Sequence, residues 1–271
     1  MRVQEYQPDN PLVKKFVSKY QLFEGYGPFF VKAIPSGTCE CWVLIEGSFE
    51  IFNTDKGKFE ASGKSGFFPL SCTSYTYYFK GYLKCFNIKL KPNILGLPTF
   101  FKFLERWKKM SPIDFLSAEG LSKIKNLDFS DDTTVINYLD QLILETNDLS
   151  NTDQQIETLL SSIFSPQNLE LKINELAKQN YLTVKSFERL VTKVCGMPPK
   201  KLLNIVRFGK ASTHLKKSEG AQLIDALEFG YYDQSHFIKE CKRITNLNPK
   251  EFLSKLQLDV ADLVFDDISI D

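Results

Sequence analysis

The stretch Gly230–Pro249, GYYDQSHFIKECKRITNLNP, decides how the chain is interpreted. It holds an aspartate, a glutamine, a serine, a histidine and a cysteine, which are side chains expected of a catalytic or metal site. The same stretch also fits the junction of two helices. Gly230 suits the left-handed residue that ends one helix, and Asp233 suits the N-cap of the next. This second interpretation places Gln234 and Ser235 in the first turn of a helix.

A repeat with a period of 50 residues favours the helical interpretation. The first copy is INELAKQNYLTVKSFERLVTKVCGMPPKKLLNIVRFGKA. Four positions of the repeat share a role in both copies. They are a helix-ending residue (Asn180 and Gly230), an N-cap (Thr183 and Asp233), a buried aromatic residue (Phe187 and Phe237) and a helix-starting proline (Pro199 and Pro249). Each copy is therefore predicted to contain a helix, a tight turn and a second helix. This is the helix-turn-helix arrangement, whose second helix enters the major groove of DNA.

The rest of the chain divides into a β-rich and a helical part. Short apolar and aromatic runs between Gly, Asn and Asp predict strands in ECWVLIEGSFEIFNTDKGKFEASGKSGFFPL and SYTYYFKGYLKCFNIKL. Hydrophobic periodicity predicts helices at about 153–164, 171–179, 184–195, 199–217, 220–229, 234–243 and 249–257. We therefore predict an α+β fold with two domains. Residues 1–110 form a β-barrel-like, cupin-like sensor domain, 111–152 an acidic helical linker, 153–258 an all-α domain with two helix-turn-helix units joined by a long helix, and 259–271 an acidic tail.

The composition is that of a soluble globular protein, since hydrophobic residues make up 43% and charged residues 25% of the 271 residues. Apolar runs are too short to cross a bilayer and the N-terminal sequence has no apolar signal core, so we expect a cytoplasmic protein with no membrane partner. The net charge is +7 in residues 1–110, −8 in 111–168, +7 in 169–258 and −5 in 259–271. The basic C-terminal block fits nucleic acid, but the N-terminal block is equally basic, so charge alone does not locate a DNA site.

The chain offers little for catalysis or metal binding. Its two histidines, His214 and His236, do not lie in a ligand cluster of the spacing that zinc sites use. We interpret Cys39 and Cys41, with the other cysteines, as reduced thiols packed in the core. The segment SGKSG at Ser62–Gly66 lacks the upstream glycine that a phosphate-binding loop needs. We therefore predict no metal, no cofactor and no enzyme activity.

The residues of the repeat resemble a known family. The run GYYDQSHFIKECKRITNLNPKEF is similar to the C-terminal signature of the AraC/XylS family of bacterial transcription regulators, and the first copy is similar to that family's first helix-turn-helix unit. The resemblance covers roughly residues 153–257. The N-terminal part is similar to the β-rich sensor domain of one subgroup of the family, in the run VLIEGSFEIF that follows IPSGTCE.

The resemblance implies two recognition helices, at about 184–195 and 234–243, that read successive major grooves on one face of DNA. Arginine and lysine suit guanine, and glutamine suits adenine or a phosphate. Positions that match the family's base-reading residues hold Lys185, Ser186, Glu188 and Arg189 in the first unit, and Gln234, Ser235 and Lys239 in the second. Basic residues placed for phosphate contacts, which set position rather than sequence, are Lys200, Arg207, Lys242 and Lys250.

The chain departs from the family pattern at several positions. The family usually has arginine at the position of Lys239, phenylalanine at Cys241 and glycine at Asn246. Lysine keeps the charge of arginine but loses its bidentate fork, and the smaller Cys241 predicts looser packing of the second unit. Glu188 would repel phosphate, and it suits a base-reading position only where it accepts a hydrogen bond from cytosine N4.

From the residues and the resemblance we predict a sequence-specific transcription regulator. Its C-terminal domain would bind double-stranded promoter DNA, and its N-terminal domain would respond to a small-molecule effector or another signal. RNA polymerase and a second copy of the chain are further candidate partners. The alternative is a small-molecule-binding module or enzyme in the N-terminal β-barrel with the helical half as a regulatory attachment. Residues 1–110 contain no histidine, which excludes a histidine-based metal site there.

Three features leave alternatives open. The aromatic residues of segment 75–82 either line a ligand pocket or alternate between the inside of a barrel and its surface, which we favour. Apolar helices predicted at about 100–109 and 134–146 either form a dimer interface or pack on the sensor domain of the same chain. The acidic tail, residues 259–271, either stays solvated, which we favour, or folds back onto a basic surface.

Overall fold

A computed structural model describes residues 2–35, 37–53, 58–62, 66–68, 70–71, 74–98, 100, 118–218, 222–252 and 263–264. The N-terminal part is a largely antiparallel sheet. Its described strands are β1 (Arg2–Tyr6), β2 (Val17–Tyr26), β3 (Phe29–Ala33), β4 (Cys39–Asn53), β5 (Lys58–Ser62), β6 (Gly66–Phe68), β7 (Tyr75–Leu90) and β8 (Leu263–Val264). Helix α1 (Pro11–Phe16) connects β1 to β2, and the side chain of Asn10 caps it by accepting hydrogen bonds from the N–H groups of Leu12 and Val13.

The two longest strands, β4 and β7, form the centre of the sheet. On one side β4 also pairs with β5 and β6. On the other side β7 pairs with β2 from Tyr82 to Leu90 and with β3 from Tyr75 to Phe79, and β2 pairs with β1. The predicted β-rich N-terminal part is therefore confirmed. The sequence runs that predicted strands became β4 to β7.

Side chains alternate between the two faces of the sheet, as the period of a strand requires. On one face, Phe86 and Leu90 of β7 are buried in a core shared with the helices that follow. On the other face, Tyr77 and Phe79 are buried in a separate aromatic cluster with Trp42. Within segment 75–82, Tyr77 and Phe79 are buried and Tyr78 and Tyr82 are half-buried, so burial alternates along this part of β7.

The cysteines of the described residues are buried, which agrees with their prediction as core residues. Burial raises the pKa of the Cys195 thiol to about 12, and it also raises the pKa values of the Cys39 and Cys41 thiols. These thiols therefore stay protonated at neutral pH and act as small apolar side chains. Cys72 lies outside the described residues.

The remaining described chain is helical. Its α-helices are α2 (Ala118–Lys125), α3 (Asp132–Thr146), α4 (Gln154–Phe164), α5 (Ile173–Gln179), α6 (Val184–Cys195), α7 (Pro199–Lys217) and α8 (Gln234–Thr245). Segment 249–252 is also helical. These bounds confirm most of the predicted helices, including the long helix α7 and the two predicted recognition helices α6 and α8. None of the described helices is long and apolar enough to cross a membrane.

One predicted helix differs from the structure, and two others lie partly outside the described residues. The segment predicted as a helix at 220–229 is a 3₁₀ helix covering Leu223–Phe229. The helix predicted at 249–257 is described as far as residue 252, and the rest lies outside the described residues. Most of the helix predicted at about 100–109 also lies outside them.

Helix α3 packs on the sheet of its own chain. Its residues Val135, Leu139 and Ile143 are fully buried in the core shared by sheet and helices. The Asp140 carboxylate accepts hydrogen bonds from the backbone N–H of Asn10 at 2.6 Å and from the Tyr20 hydroxyl at 2.6 Å. Of the two alternatives for this helix, the structure thus gives it a partner within the same chain.

The prediction that the acidic tail stays solvated is wrong for residues Leu263 and Val264. These residues form β8, which pairs in parallel with Lys32 and Ala33 of β3. The physical reason is that β3 offers unpaired backbone groups at an edge of the sheet, and an apolar dipeptide in extended conformation satisfies them. The acidic residues of the tail lie outside the described residues.

Candidate nucleic-acid interface

The first helix-turn-helix unit consists of α5, a tight turn and α6. The expectation that Asn180 takes the left-handed conformation is wrong: its φ is −92°, and Tyr181 takes that conformation with φ 55°. The Asn180 side chain instead donates hydrogen bonds of 2.8 Å to the Leu176 carbonyl and to the Ser162 hydroxyl. These hydrogen bonds satisfy a free carbonyl group at the end of α5 and join α5 to α4. The left-handed turn conformation is adopted by the next residue, Tyr181.

Helix α6 begins after Thr183. The Thr183 hydroxyl oxygen accepts a hydrogen bond from the backbone N–H of Ser186 at 3.2 Å, and the hydroxyl donates to the Ser186 side chain at 3.0 Å. This is the geometry of an N-cap, which fixes the first turn of the helix. Phe187 and Val191 are fully buried and hold the helix against the shared core. The opposite face of α6 is left for other contacts.

The exposed face of α6 brings three of the predicted base-reading residues together. Lys185, Glu188 and Arg189 are exposed at spacings of three and four residues, which places them on one side of the helix. Ser186 is half-buried and engaged with the cap. Thr192, which the sequence analysis did not select, is exposed on the same side, one helical turn beyond Glu188 and Arg189.

The second unit consists of the 3₁₀ helix Leu223–Phe229, a turn and α8. Gly230 ends the 3₁₀ helix with φ 80°, which favours glycine. A Cβ atom at this position would lie 3.0 Å from the Leu169 carbonyl oxygen. Asp233 caps α8, because its carboxylate accepts a hydrogen bond from the His236 N–H at 2.7 Å. Backbone conformation and limited space therefore both favour glycine at position 230.

The exposed face of α8 repeats the arrangement of α6 with the 50-residue offset. Gln234, Ser235 and Lys239 are exposed, and Lys242 is exposed at the position that corresponds to Thr192. Asn246 ends α8 with φ 55°. Asparagine tolerates this left-handed conformation, so it substitutes for the glycine that the family usually has.

The core of the second unit contains stacked aromatic rings. Phe208 of α7 lies 5.9 Å from the Phe237 ring and 5.4 Å from the Phe252 ring. Cys241 is fully buried in the same cluster. The side chain of Thr245 donates a hydrogen bond to the Cys241 carbonyl at 2.7 Å.

The two histidines are packed against aromatic rings. His236 contacts Tyr231 edge to face at 5.2 Å, and His214 lies 5.2 Å from Phe229. Burial raises the pKa of the Tyr231 hydroxyl well above its usual value, and the negative charge of Glu240 raises it further. Among the described residues, no three His, Cys, Asp or Glu side chains are grouped so that they could hold a metal ion.

Three of the four predicted phosphate contacts are exposed. Lys200 and Lys250 occupy matching positions directly after the helix-starting prolines, and Lys242 lies on the exposed face of α8. The guanidinium of Arg207, in contrast, is engaged inside the protein. Its Nε and Nη2 atoms donate to the Leu169 carbonyl at 3.2 and 2.6 Å. This geometry gives Arg207 a role in joining α7 to the segment before α5, and we leave it out of the proposed phosphate contacts.

Two exposed tyrosines adjoin the recognition helices and were missed by the sequence analysis. Tyr181 is 96% exposed and lies two residues before the N-cap Thr183. Tyr232 is 92% exposed and lies directly before the N-cap Asp233. The 50-residue repeat aligns Tyr181 with Tyr231, which is buried. Because the repeat aligns an exposed tyrosine with a buried one, it carries no signal that distinguishes them. Val184, at the start of α6, is also 43% exposed.

Comparison with known proteins agrees with this geometry. Residues 176–255 match a family model described as a helix-turn-helix domain. An uncharacterized HTH-type transcriptional regulator from Haemophilus influenzae is 30% identical over 106 residues, which are 39% of this chain. The match spans 36% of that relative, so the chain corresponds to about a third of its length.

The complete fold is similar to that of ToxT from Vibrio cholerae. The apo form of a ToxT variant superimposes with a TM-score of 0.51 at 9% identity, covering 94% of this chain and 97% of ToxT. ToxT bound to (E)-4-(8-methylnaphthalen-1-yl)but-3-enoic acid superimposes with a TM-score of 0.50 at 11% identity, covering 94% of this chain and all of the other. At these identities the likeness concerns the fold, and it agrees with an N-terminal sheet followed by a C-terminal helical domain. Residues 176–255 of this chain are thus similar to a helix-turn-helix domain.

Proposed function

We propose that the chain is a sequence-specific DNA-binding transcription regulator whose two recognition helices, α6 and α8, enter successive major grooves. The observation that carries this proposal is the repetition of one exposed polar face on two capped helices. The connecting helix α7 has 19 residues and is therefore about 28 Å long. This length is comparable with the roughly 34 Å between successive major grooves on one face of DNA.

The exposed faces of the two helices would read bases. On α6, Arg189 and Lys185 carry donors that suit guanine, and Glu188 between them suits cytosine. On α8, Gln234 suits adenine and Lys239 suits guanine. Ser235 completes this face near the N-terminus of α8, and Ser186 lies at the edge of the corresponding face of α6. The exposure of these side chains next to fixed helix starts supports their role in recognition.

The lysines after the helix-starting prolines would contact phosphate. Lys200 and Lys250 are each near the N-terminus of a helix, where the backbone N–H groups and the helix dipole also favour an anion. Lys242 adds a third positive charge on α8. These contacts would orient the domain on the duplex and make its affinity dependent on salt.

The exposed tyrosines would add contacts at the rim of the same surface. Tyr181 and Tyr232 lie beside the N-termini of α6 and α8, from which a recognition helix approaches DNA. A tyrosine hydroxyl donates hydrogen bonds to phosphate oxygens. The left-handed backbone of Tyr181 is uncommon for a bulky residue, which is a reason to look for a function of this side chain.

The N-terminal sheet would act as the sensor of the regulator. ToxT, whose overall fold resembles that of this chain, has been solved with a substituted butenoic acid bound. We therefore propose a small-molecule effector for residues 1–110, with 111–152 as linker, 153–258 as the DNA-binding domain and 259–271 as an acidic tail. RNA polymerase and a second copy of the chain are proposed further partners, and the cytoplasm is the proposed location.

Selection of bound duplexes from a random DNA pool tests this function. We expect the full chain to enrich a site with two half-motifs about one helical turn apart. Arg189→Ala and Lys239→Ala should each relax one half-motif, and Arg2→Ala, an exposed arginine on β1 far from α6 in sequence, is the matched control. Absence of enrichment by the full chain and by residues 150–258 at moderate salt would contradict the proposal.

A further inference from the structure

A corner of the N-terminal sheet contacts the second helix-turn-helix unit. This corner is formed by Ile34, directly after β3, and Ser74, directly before β7. The two are neighbours, because Ala33 at the end of β3 pairs with Tyr75 at the start of β7. The corner residues therefore move together with the centre of the sheet.

Both corner residues make buried contacts with the second unit. Ile34 is 6% exposed and belongs to the same buried cluster as Phe208, Phe237 and Ile244. Within the described part of this cluster, Ile34 is the member contributed from outside residues 208–252. The Ser74 hydroxyl donates a hydrogen bond to the Ile244 carbonyl in the last turn of α8. The sheet thus completes the core of the unit that carries α8.

The same sheet is also joined to the first unit. The fully buried residues Phe86 and Ile88 of β7 share one core with Phe187 and Val191 of α6. The backbone N–H of Asp153, before α4, donates to the carbonyl of Gly96 after β7 at 2.9 Å. The two units are therefore connected through the sheet as well as by α7.

We propose that Ile34 and Ser74 are positioning residues that fix the orientation of α8 relative to α6 and thereby set the distance between the two DNA half-sites. This inference rests on the proposed function. Besides its covalent connection through α7, the second unit lies against the segment before α5, where Gly230 is close to the Leu169 carbonyl. The corner adds a further connection at the C-terminal end of α8, opposite the end proposed to meet DNA. A change in the sheet that displaces β3 or β7 would move α8 directly.

The test measures the affinity of the full chain for duplexes in which the distance between the two half-motifs is changed one base pair at a time. We expect the parent to prefer one distance. In Ile34→Ala and Ser74→Ala, the ratio of affinities between the best and the neighbouring distances should fall towards unity. Affinity for the isolated half-motif read by α6 should stay at the parent value.

Matched controls separate positioning from general destabilisation. Ile51→Ala removes a buried isoleucine from the aromatic cluster on the other face of the sheet, and Ser18→Ala removes a serine that donates to the Lys89 carbonyl at 3.1 Å. Both should keep the parent's distance preference. If Ile34→Ala fails to fold, the distance preference of the milder variant Ile34→Val is measured instead, with Ile51→Val as its control.

The outcomes are distinct. If the parent selects no paired half-motifs, the proposed function fails and this inference fails with it. If the parent shows a preferred distance and the corner variants keep it, the positioning role is overturned. Tighter binding of the corner variants with an unchanged distance preference also overturns it, because the contact would then obstruct DNA binding rather than position α8.

Discussion

Replacing Arg189 by alanine is expected to remove one base contact without disturbing the fold. The side chain is exposed on α6, and within the described residues it forms no ion pair or hydrogen bond. Alanine is a good helix former, so the free energy of unfolding should change by less than about 0.5 kcal/mol. Loss of an arginine–guanine contact costs about 1–3 kcal/mol of discrimination. Binding of the selected site should therefore weaken roughly 5- to 150-fold.

Fluorescence anisotropy with the selected duplex measures this change, together with duplexes that carry one substituted base pair each. For the variant, preference should disappear at one position of the α6 half-motif and remain elsewhere. Urea unfolding checks that stability is retained, and Arg2→Ala is the control for loss of one exposed arginine. Parental affinity with all base preferences retained would refute the placement of Arg189. An equal loss on every duplex would assign it to phosphate instead.

Three further predictions concern phosphate contact, capping and backbone conformation. Lys250→Ala should weaken binding evenly across DNA sequences and lower the slope of log affinity against log salt concentration by about 1. The control Lys14→Ala should change neither the affinity nor the slope. Binding titrations at several salt concentrations measure both quantities. Asp233→Ala removes the cap of α8 and should lower the free energy of unfolding by about 0.5–2 kcal/mol in urea titrations. Gly230→Ala should lower the free energy of unfolding more than Gly196→Ala. Both residues have positive φ, but of these two only Gly230 would place a Cβ atom 3.0 Å from a carbonyl oxygen. Equal losses of stability would contradict this steric argument.

Local signals in the sequence were sufficient for the α-helices α6 and α7 of the repeat. The bounds of α6 agree with the prediction because Thr183 starts the helix with its side chain and Gly196 ends it in the left-handed conformation. The long helix α7 begins at Pro199 for the same kind of reason, since proline suits the first turn. Caps and helix starts involve residues close in sequence, so they are visible without the structure.

Contacts between residues distant in sequence were not predictable. Arg207 looks like a phosphate contact in the sequence, yet its partner is a carbonyl 38 residues away. Asn180 was expected to take the left-handed conformation, but its amide bonds to Ser162 of another helix, and Tyr181 takes that conformation instead. The contact of Ile34 with the second unit is likewise tertiary. Sequence patterns indicate which face of a helix or strand is buried, but they do not indicate which other element packs against it.

Methylation protection on the selected duplex tests whether α6 and α8 read two successive major grooves. Guanine N7 atoms lie in the major groove, so bound recognition helices shield them. For the parent we expect two protected windows on one face of the duplex, about one helical turn apart. Arg189→Ala should weaken one window and Lys239→Ala the other. A single protected window, or loss of the same window in both variants, would contradict binding of α6 and α8 in separate grooves.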